Sequence, residues 1–362
     1  MAIAYSKYIV GTLPWYTFLI LVGVILAFLL ALKEEKRLML PKDTIIDLCL
    51  IVLPSGIIGA RLYYVVMLWS YFENNPLSIL YIWEGGLAIY GGVIGGIIAT
   101  YFFAKKRKLS FFTLLDCLVP GLLLAQSIGR FGNYFNMEAY GAVITNPKFQ
   151  FFPMAVLIPT GDTYIWHMAT FFYESLWNLL GFLVLYLIRK KQKKPGLLVC
   201  WYLLIYGSGR FIIEQLRTDS LFIGSARVSQ WLSFALCVLG CFVLLYNILK
   251  NKSILNIIVI STICLGLLFR FIIISNLNYY LITLLLLCII TLVFLKKNQI
   301  KLNLYSIIII ALVESSIVLI NIFIENKTYS LYLSNLLIAI SVPLYTYILI
   351  LNGGKQYAVR KI

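Results

Sequence analysis

Residues 196–217 read GLLVCWYLLIYGSGRFIIEQLR, an apolar segment long enough to cross a bilayer as a helix. Four ionisable residues toward its end are Tyr206, Arg210, Glu214 and Arg217. They follow one another at spacings of four, four and three, which places them on one face of a helix. A charge at membrane depth costs roughly 3 kcal/mol or more, so it is retained where it lines a wet cavity and binds something. The segment therefore predicts a membrane helix with one functional face.

The whole chain has the composition of a membrane protein. Of its 362 residues, 62% are hydrophobic and 12% are charged, and the mean hydropathy is +0.94. Soluble domains carry about 25% charged residues, so a soluble fold is excluded. The apolar runs predict an all-α polytopic membrane protein, with about seven transmembrane helices before residue 250 and about four in a C-terminal extension. The predicted spans are 14–32, 44–69, 86–104, 111–130, 168–189, 197–217, 229–249, 254–275, 279–295, 303–324 and 331–351.

The formal net charge of +16 indicates a membrane topology rather than a nucleic-acid partner. Basic clusters lie in every second loop, at residues 33–42, 105–108, 189–194, 250–252, 296–301 and 355–361. The alternating loops hold few basic residues, namely Lys7, Lys148, Arg227 and Lys327. Because cytoplasmic loops carry the excess of Lys and Arg, this pattern predicts an outside N-terminus and a cytoplasmic C-terminus. The basic loops are expected to meet anionic membrane lipids.

Cysteine and histidine do not form a metal-binding pattern. All seven cysteines lie within hydrophobic segments, and none has metal-ligand spacing with the single histidine, His167. We interpret the cysteines as small apolar residues. No metal ion or other cofactor is predicted.

Composition divides the chain near residue 250. Gly, Pro and all seven Trp concentrate before that point, and Gly and Pro mark close helix approach and cavities. Residues 1–250 are therefore expected to hold the chemistry, with an outside cap over the site at about 131–166. Residues 251–362 are expected to be an auxiliary helical block, in which Arg270 and Glu314 stand inside predicted spans and form either an ion pair or a second site.

A second polar group closes the fourth predicted span. Residues 129–141 read GRFGNYFNMEAYG, so that Arg130, Asn133, Asn136 and Glu138 fall within nine residues and Gly141 ends the motif. Two spans that each carry arginine suggest a site for an anionic group, for which phosphate is the best fit to guanidinium geometry.

Three further positions are candidates for the same site. Arg61 lies inside the second span, where an arginine must pair or meet a lipid headgroup. Residues 84–96 read EGGLAIYGGVIGG, in which glycines four apart predict close helix packing and the glycine pairs around Tyr90 also admit a ligand. Tyr16 opens the first span, either as an interfacial aromatic residue or as a ligand contact.

Together these motifs resemble the prolipoprotein diacylglyceryl transferases of bacteria. The hallmark of that family is an Arg-Phe-Gly-Asn segment followed by Asn, Glu and Gly at the spacing found in residues 130–141. Further matches in the same order are residues 59–63, 85–92, 170–175 and 206–217, so the resemblance covers about residues 10–250.

The resemblance implies transfer of the diacylglyceryl group of phosphatidylglycerol to the lipobox cysteine thiol of a preprolipoprotein signal peptide. A thioether forms and glycerol phosphate leaves. It also implies a multi-pass protein of the bacterial cytoplasmic membrane, with its active site facing the outer leaflet.

In that reaction Arg130 and Arg210 are candidates for a clamp on the leaving phosphate. Glu214 then either holds the Arg210 guanidinium or takes a proton. Tyr90 stands where better-studied relatives carry a His regarded as a candidate base; here it either donates a hydrogen bond to phosphate or leaves the family mechanism in doubt. Nearby arginines would raise the thiolate fraction of the substrate and make a strong base dispensable. Candidate substrate-binding residues are Tyr16, Arg61, Asn133, Asn136, Glu138, Gly141, Tyr206 and Arg217.

Two other classes of protein remain open on the sequence alone. A transporter or flippase for anionic lipid or solute also places arginines in the membrane, but transporters tend to show internal repeats and the two halves of this chain show none. An inactive relative that binds lipid is the other alternative, and it rests on Tyr90 and the extension.

Overall fold

The structure is a computed structural model that describes residues 6–192, 194–219, 222–223, 226–247, 290–291, 308, 310, 312–317 and 334–348. Its labelled helices are α1 (Trp15–Arg37), α2 (Thr44–Met67), α3 (Trp69–Phe72), α4 (Ile89–Arg107), α5 (Phe111–Asn136), α6 (Thr170–Ile188), α7 (Leu197–Leu216) and α8 (Val228–Tyr246). An apolar C-terminal helix spans Ser334–Ile348. Short 3-10 turns occupy Pro76–Leu80, Ile82–Glu84 and Pro147–Phe149.

Within the described residues, six helices are long and apolar enough to cross a membrane, which confirms a polytopic membrane protein. They are α1, α2, α5, α6, α7 and α8. The predicted span 86–104 corresponds to α4, a 19-residue helix that falls outside this set. The predicted span 331–351 corresponds to the shorter C-terminal helix. The spans predicted at 254–275, 279–295 and 303–324 lie almost wholly outside the described residues, as does Arg270.

The prediction of an all-α chain is wrong for the connections, which contain three short antiparallel hairpins among the described residues. They pair β1 (Tyr8–Val10) with β2 (Leu13–Pro14), β3 (Ala155–Thr160) with β4 (Thr163–Met168), and β5 (Phe222–Ile223) with β6 (Ala226–Arg227). The β3–β4 strands are rich in β-branched and aromatic residues and meet at Gly161, whose φ of +62° suits a tight turn.

The β3–β4 hairpin belongs to a cap that lies between α5 and α6. The connection between α5 and α6 begins at Met137, because α5 continues to Asn136 and ends there with a left-handed φ of 53° at Met137. We use the name cap for this connection, residues 137–169; an outside cap over the site at about 131–166 stays a prediction. We call the end of the helical bundle that carries these residues the cap end.

Glycines set the close packing of the helices, as the spacing of Gly91 and Gly95 predicts. A Cβ atom on Gly91 would lie 2.2 Å from the carbonyl oxygen of Gly59, so only glycine allows α4 to approach α2 this closely. On α5, a Cβ on Gly121 would lie 2.8 Å from the Cα of Ala27 in α1. Such small-residue contacts replace the hydrophobic effect as the basis of helix association in lipid.

Polar contacts fix the helices at the end opposite the cap. Glu34 of α1 binds Arg189 after α6, with 2.8 Å between Oε1 and Nε. Asp116 of α5 accepts hydrogen bonds from the backbone N–H groups of Gly196 at 2.7 Å and Val199 at 2.9 Å. Because the first N–H groups of a helix lack partners within it, Asp116 caps the start of α7 and fixes its position against α5.

Candidate active site

The most buried charged cluster at the cap end is built on Glu174 of α6, which is 2% exposed. One carboxylate oxygen lies 2.7 Å from Nη2 of Arg130 on α5, and the other lies 2.8 Å from Nη1 of Arg210 on α7. Nη2 of Arg210 also lies 2.7 Å from Oε2 of Glu214, one turn further along α7. One carboxylate thus holds two guanidinium groups that come from different helices.

The local sequence brings these helices close together. Gly209 precedes Arg210, and a Cβ atom there would lie 2.1 Å from the indole nitrogen of Trp177 on α6. The same nitrogen donates a hydrogen bond of 2.8 Å to the carbonyl oxygen of Ile205. Glycine at 209 therefore lets α6 lie directly on α7, which brings Glu174 within reach of Arg210.

The two arginines of the cluster can bind an anion, because their contacts with carboxylates use only some of their N–H donors. The side chain of Arg130 is 24% exposed and that of Arg210 is 12% exposed, whereas the Glu174 and Glu214 side chains are nearly inaccessible. A guanidinium carries five N–H donors in a fixed plane, and the contact of Arg130 with Glu174 uses one of its nitrogens. The carboxylates hold the arginines within the bundle, and the donors that make no contact among the described residues suit phosphate oxygens.

Tyr90 and Tyr206 lie beside this cluster. Tyr90, in the first turn of α4, has its hydroxyl 3.3 Å from Oγ of Ser229 on α8, and it is near enough to Arg210 to interact electrostatically. Tyr206 stacks on Tyr202, one turn earlier on α7, with ring centroids 5.6 Å apart. Both phenols therefore lie near enough to the Arg210 guanidinium to interact with its charge.

A second polar group forms at the end of α5. The amide nitrogens of Asn133 and Asn136 donate to the same oxygen of Glu138, at 2.7 Å and 3.2 Å. Tyr16 of α1 packs against Gly132, where a Cβ atom would lie 2.6 Å from the tyrosine ring. Tyr16 is also near enough to Glu138 and Arg130 to interact with both charges. This group begins one turn beyond Arg130, at the end of α5.

Gly141 joins the cap to the end of α7. It forms an isolated antiparallel bridge with Arg217, and its N–H donates 2.9 Å to the carbonyl oxygen of Met168. A Cβ on Gly141 would lie 2.6 Å from the carbonyl oxygen of Leu216, so no larger residue fits. The carbonyl oxygen of Gly141 lies 2.8 Å from Nδ1 of His167. His167 thus has a structural contact in the cap.

Arg217 forms a bidentate ion pair with Asp219. Nε lies 2.8 Å from one carboxylate oxygen and Nη2 lies 2.7 Å from the other. Partial burial of Asp219 opposes its ionisation, but hydrogen bonds from the Arg217 guanidinium outweigh that effect and lower the pKa of the carboxyl. Asp219 therefore fixes the orientation of the Arg217 guanidinium at the edge of the cap.

Arg61 is not brought into the arginine–glutamate cluster. Its guanidinium donates to the backbone carbonyl oxygens of Ser78, Ile79, Gly85 and Gly86, at 2.6 to 3.1 Å. The planar group also lies over the rings of Tyr64 and Phe72. Arg61 thereby fixes the segment that leads into α4, the helix whose second residue is Tyr90.

Glu174 is not among the site residues predicted from the sequence. It lies within residues 170–175, one of the segments that resemble the family. An acidic residue inside an apolar span requires a partner, so the two arginines already assigned to the site were a sufficient signal.

The sequence of residues 7–246 matches the family model described as prolipoprotein diacylglyceryl transferase. The chain belongs to this family. Relatives named phosphatidylglycerol--prolipoprotein diacylglyceryl transferase include one from Streptococcus agalactiae serotype Ia, which is 42% identical over 238 residues, 65% of this chain and 92% of the relative. A relative from Clostridium novyi is 44% identical over 242 residues, 66% of this chain and 93% of the relative.

A third relative with that name, from Streptococcus mutans serotype c, is 44% identical over 228 residues, 62% of this chain and 87% of the relative. The matched region of this diacylglyceryl transferase family member contains all four residues of the charged cluster. The C-terminal helix lies outside it.

Proposed function

We propose that the protein transfers the diacylglyceryl group of phosphatidylglycerol to the lipobox cysteine thiol of preprolipoproteins. The thiol sulfur attacks the glycerol carbon bonded to the phosphate oxygen, the carbon–oxygen bond breaks, and glycerol phosphate leaves with the bonding electron pair. The thiol proton is released to water or to the leaving phosphate. The single observation that carries the proposal is the pair of arginines held on Glu174, in a chain of this family.

Arg130 and Arg210 stabilise the negative charge that develops on the phosphate oxygen as the bond breaks. Because the arginines are oriented before the reaction, little reorganisation is needed in the transition state. Glu174 and Glu214 orient the two guanidinium groups, and Glu174 is placed for this by contacts of 2.7 and 2.8 Å.

Tyr90 donates a hydrogen bond to the phosphate or its glycerol, and Tyr206 lies near the same Arg210 guanidinium. The positive charge of the arginines raises the thiolate fraction of the approaching cysteine, so that no strong general base is needed. A mechanism without a strong base is consistent with Tyr90, whose phenol stands where better-studied relatives carry a His.

The remaining candidate residues bind the two substrates or shape the site around them. Asn133, Asn136 and Glu138 contact hydroxyl groups of the headgroup, and Tyr16 packs beside them. Gly141 and Arg217 shape the edge of the cap where the signal peptide enters. Arg61 acts through the loop before α4.

We infer further that the protein lies in the bacterial cytoplasmic membrane with its cap end facing outward. The basic loops at the opposite end support this orientation. The active site then meets phosphatidylglycerol of the outer leaflet and signal peptides that have already crossed the bilayer. Residues 1–250 supply the reacting groups.

The test is a transfer assay with purified protein, phosphatidylglycerol vesicles and a synthetic lipobox peptide. Mass spectrometry should show the peptide gaining the mass of one diacylglyceryl group, and a peptide with Ser in place of the lipobox Cys should gain none. Equal modification of the Ser peptide would refute thiol alkylation. Lipid movement across the vesicle without peptide modification would favour the flippase alternative.

A further inference from the structure

The C-terminal helix Ser334–Ile348 lies along α7, the helix that carries Arg210 and Glu214. Nδ2 of Asn335 donates a hydrogen bond of 3.1 Å to Oε1 of Gln215 near the end of α7. At the other end, the rings of Tyr347 and Trp201 meet at a centroid distance of 6.0 Å. The two contacts are about 18 Å apart along the C-terminal helix and about 21 Å apart along α7. The helices are therefore antiparallel and in contact over most of their length.

The face of the C-terminal helix that packs on the bundle is suited to close contact. Four polar residues on this face are at most 1% exposed, namely Ser334, Asn335, Ser341 and Thr346. Ser341 and Thr346 donate to carbonyl oxygens of their own helix, which satisfies their hydroxyl groups. Small residues and hydroxyl groups of this kind are enriched where membrane helices meet.

The opposite face of the same helix is apolar and exposed. Leu336 is 42% exposed and Ile340 is 43% exposed, which suits contact with lipid. On the buried face, Ile338 and Val342 join the core cluster that contains Leu204 of α7 and Cys237 of α8. The helix thus has a defined orientation, with one face on α7 and α8.

The end of α7 is held from several sides. Arg227 donates to the carbonyl oxygen of Glu214, and the hydroxyl of Thr218 donates 3.2 Å to the carbonyl oxygen of Tyr140 in the cap. Asn335 adds a contact to Gln215, the residue directly after Glu214. A shift of this last turn would move Glu214, which lies 2.7 Å from Arg210.

We propose that the C-terminal helix is a positioning element of the active site, which fixes the last turn of α7 through the Asn335–Gln215 hydrogen bond and so orients Glu214 and Arg210. The inference rests on the transferase activity proposed above. It assigns a role to a helix outside the region shared with the relatives, and it adds no reacting group to the site.

The first test uses the full-length protein in the transfer assay with phosphatidylglycerol vesicles and lipobox peptide. Asn335→Ala and Gln215→Ala should each lower kcat about fivefold and leave KM for both substrates within twofold. The double variant should lose no more than the worse single variant, because both remove the same bond. Exchanging the two residues, Asn335→Gln with Gln215→Asn, should restore kcat to within twofold of the original.

Ser341→Ala is the matched control, because this hydroxyl bonds only its own helix among the contacts described. It should leave kcat unchanged. The proposal would be overturned if Asn335→Ala or Gln215→Ala lowered the melting temperature but kept the original kcat at a temperature where the variant is folded. The helix would then only stabilise the fold. Losses that add in the double variant, or an exchanged pair that stays impaired, would also overturn it.

The second test measures the packing itself. Oγ1 of Thr346 lies 3.4 Å from Sγ of Cys241 on α8, so Thr346→Cys should form a disulfide with Cys241 under mild oxidation in membranes. Leu336→Cys, on the exposed face, should form none. Digestion and mass spectrometry identify the crosslinked peptides. Absence of the Thr346→Cys crosslink would refute the docking. Failure of the unsubstituted protein to modify any peptide would instead refute the transferase activity, and the crosslink would still report the packing.

Discussion

Replacing Glu174 by Gln tests the central contact of the site. The substitution keeps the size and shape of the side chain but removes the charge that faces both Arg130 and Arg210. Glutamine can accept with one oxygen only, so one of the two guanidinium groups loses its acceptor and meets an amide NH₂ instead. Arg210 still contacts Glu214, with 2.7 Å between Nη2 and Oε2. The substitution therefore affects Arg130 more than Arg210.

The expected loss follows from these contacts. Removing one preorganised charge stabiliser typically lowers kcat by about 10²–10³, or about 2.7–4 kcal/mol. Since Glu174→Gln misplaces Arg130 and only loosens Arg210, we expect a loss of about a hundredfold in kcat. The free energy of unfolding should fall by about 1–3 kcal/mol, the usual cost of a buried group left without its partner. Glu174→Ala should cost more, about 3–5 kcal/mol, because it leaves buried charge uncompensated.

The assay is transfer of diacylglyceryl to a lipobox peptide, with thermal unfolding measured on the same preparations. Ser175→Ala is the control, since Ser175 is equally buried but bonds Ser127 on α5 rather than an arginine. It should lower stability by about 1 kcal/mol and leave kcat near its original value. Arg130→Gln should cost far less in the Glu174→Gln background than alone. A folded Glu174→Gln protein with unchanged kcat would refute the role of this carboxylate.

Three other outcomes are expected. Arg210→Ala should reduce the transfer rate by about a hundredfold or more while expression stays near normal, and a fully active variant would place the phosphate clamp elsewhere. Tyr90→Phe should lose about tenfold in kcat, or about 1.4 kcal/mol, as for one lost hydrogen bond, whereas a general base would cost about 10²–10⁴; Tyr90→His should be tolerated. Gly141→Ala should lower both stability and transfer, because its Cβ would lie 2.6 Å from a backbone oxygen, and unchanged thermal unfolding would contradict that.

Six of the seven spans predicted before residue 250 correspond to helices that are long and apolar enough to cross a membrane, because apolar length alone determines where such helices lie. The sequence also predicts Arg130, Arg210 and Glu214 as neighbours, since a membrane-embedded charge needs a partner. The structure brings all three together. The family resemblance is confirmed by the match over residues 7–246.

What the sequence does not reveal is which polar residue pairs with which. Arg61 and Arg130 both stand in predicted spans, yet one is bound to backbone carbonyls of a loop and the other to a carboxylate of α6. Which partner each arginine finds depends on how far α2 and α5 lie from α6. The spacing of residues within one helix does not determine that distance. The hairpin in the cap is not predicted by apolar length, because its strands are too short to cross a membrane, although Gly161 and the β-branched residues around it favour a turn between strands.

The capping of α7 by Asp116 has a consequence for how the chain tolerates insertions. Arg130 stands fourteen positions after Asp116 on α5, and Arg210 stands fourteen positions after Gly196, the partner of Asp116 at the start of α7. The two helices run in the same direction, so both intervals measure about 21 Å. The two intervals are equal in length and start from the same contact, at the end of the bundle opposite the cap. Lengthening either by one residue would slide its arginine by about 1.5 Å and rotate it by about 100°, and lengthening both by one would keep the arginines level while turning both away from Glu174.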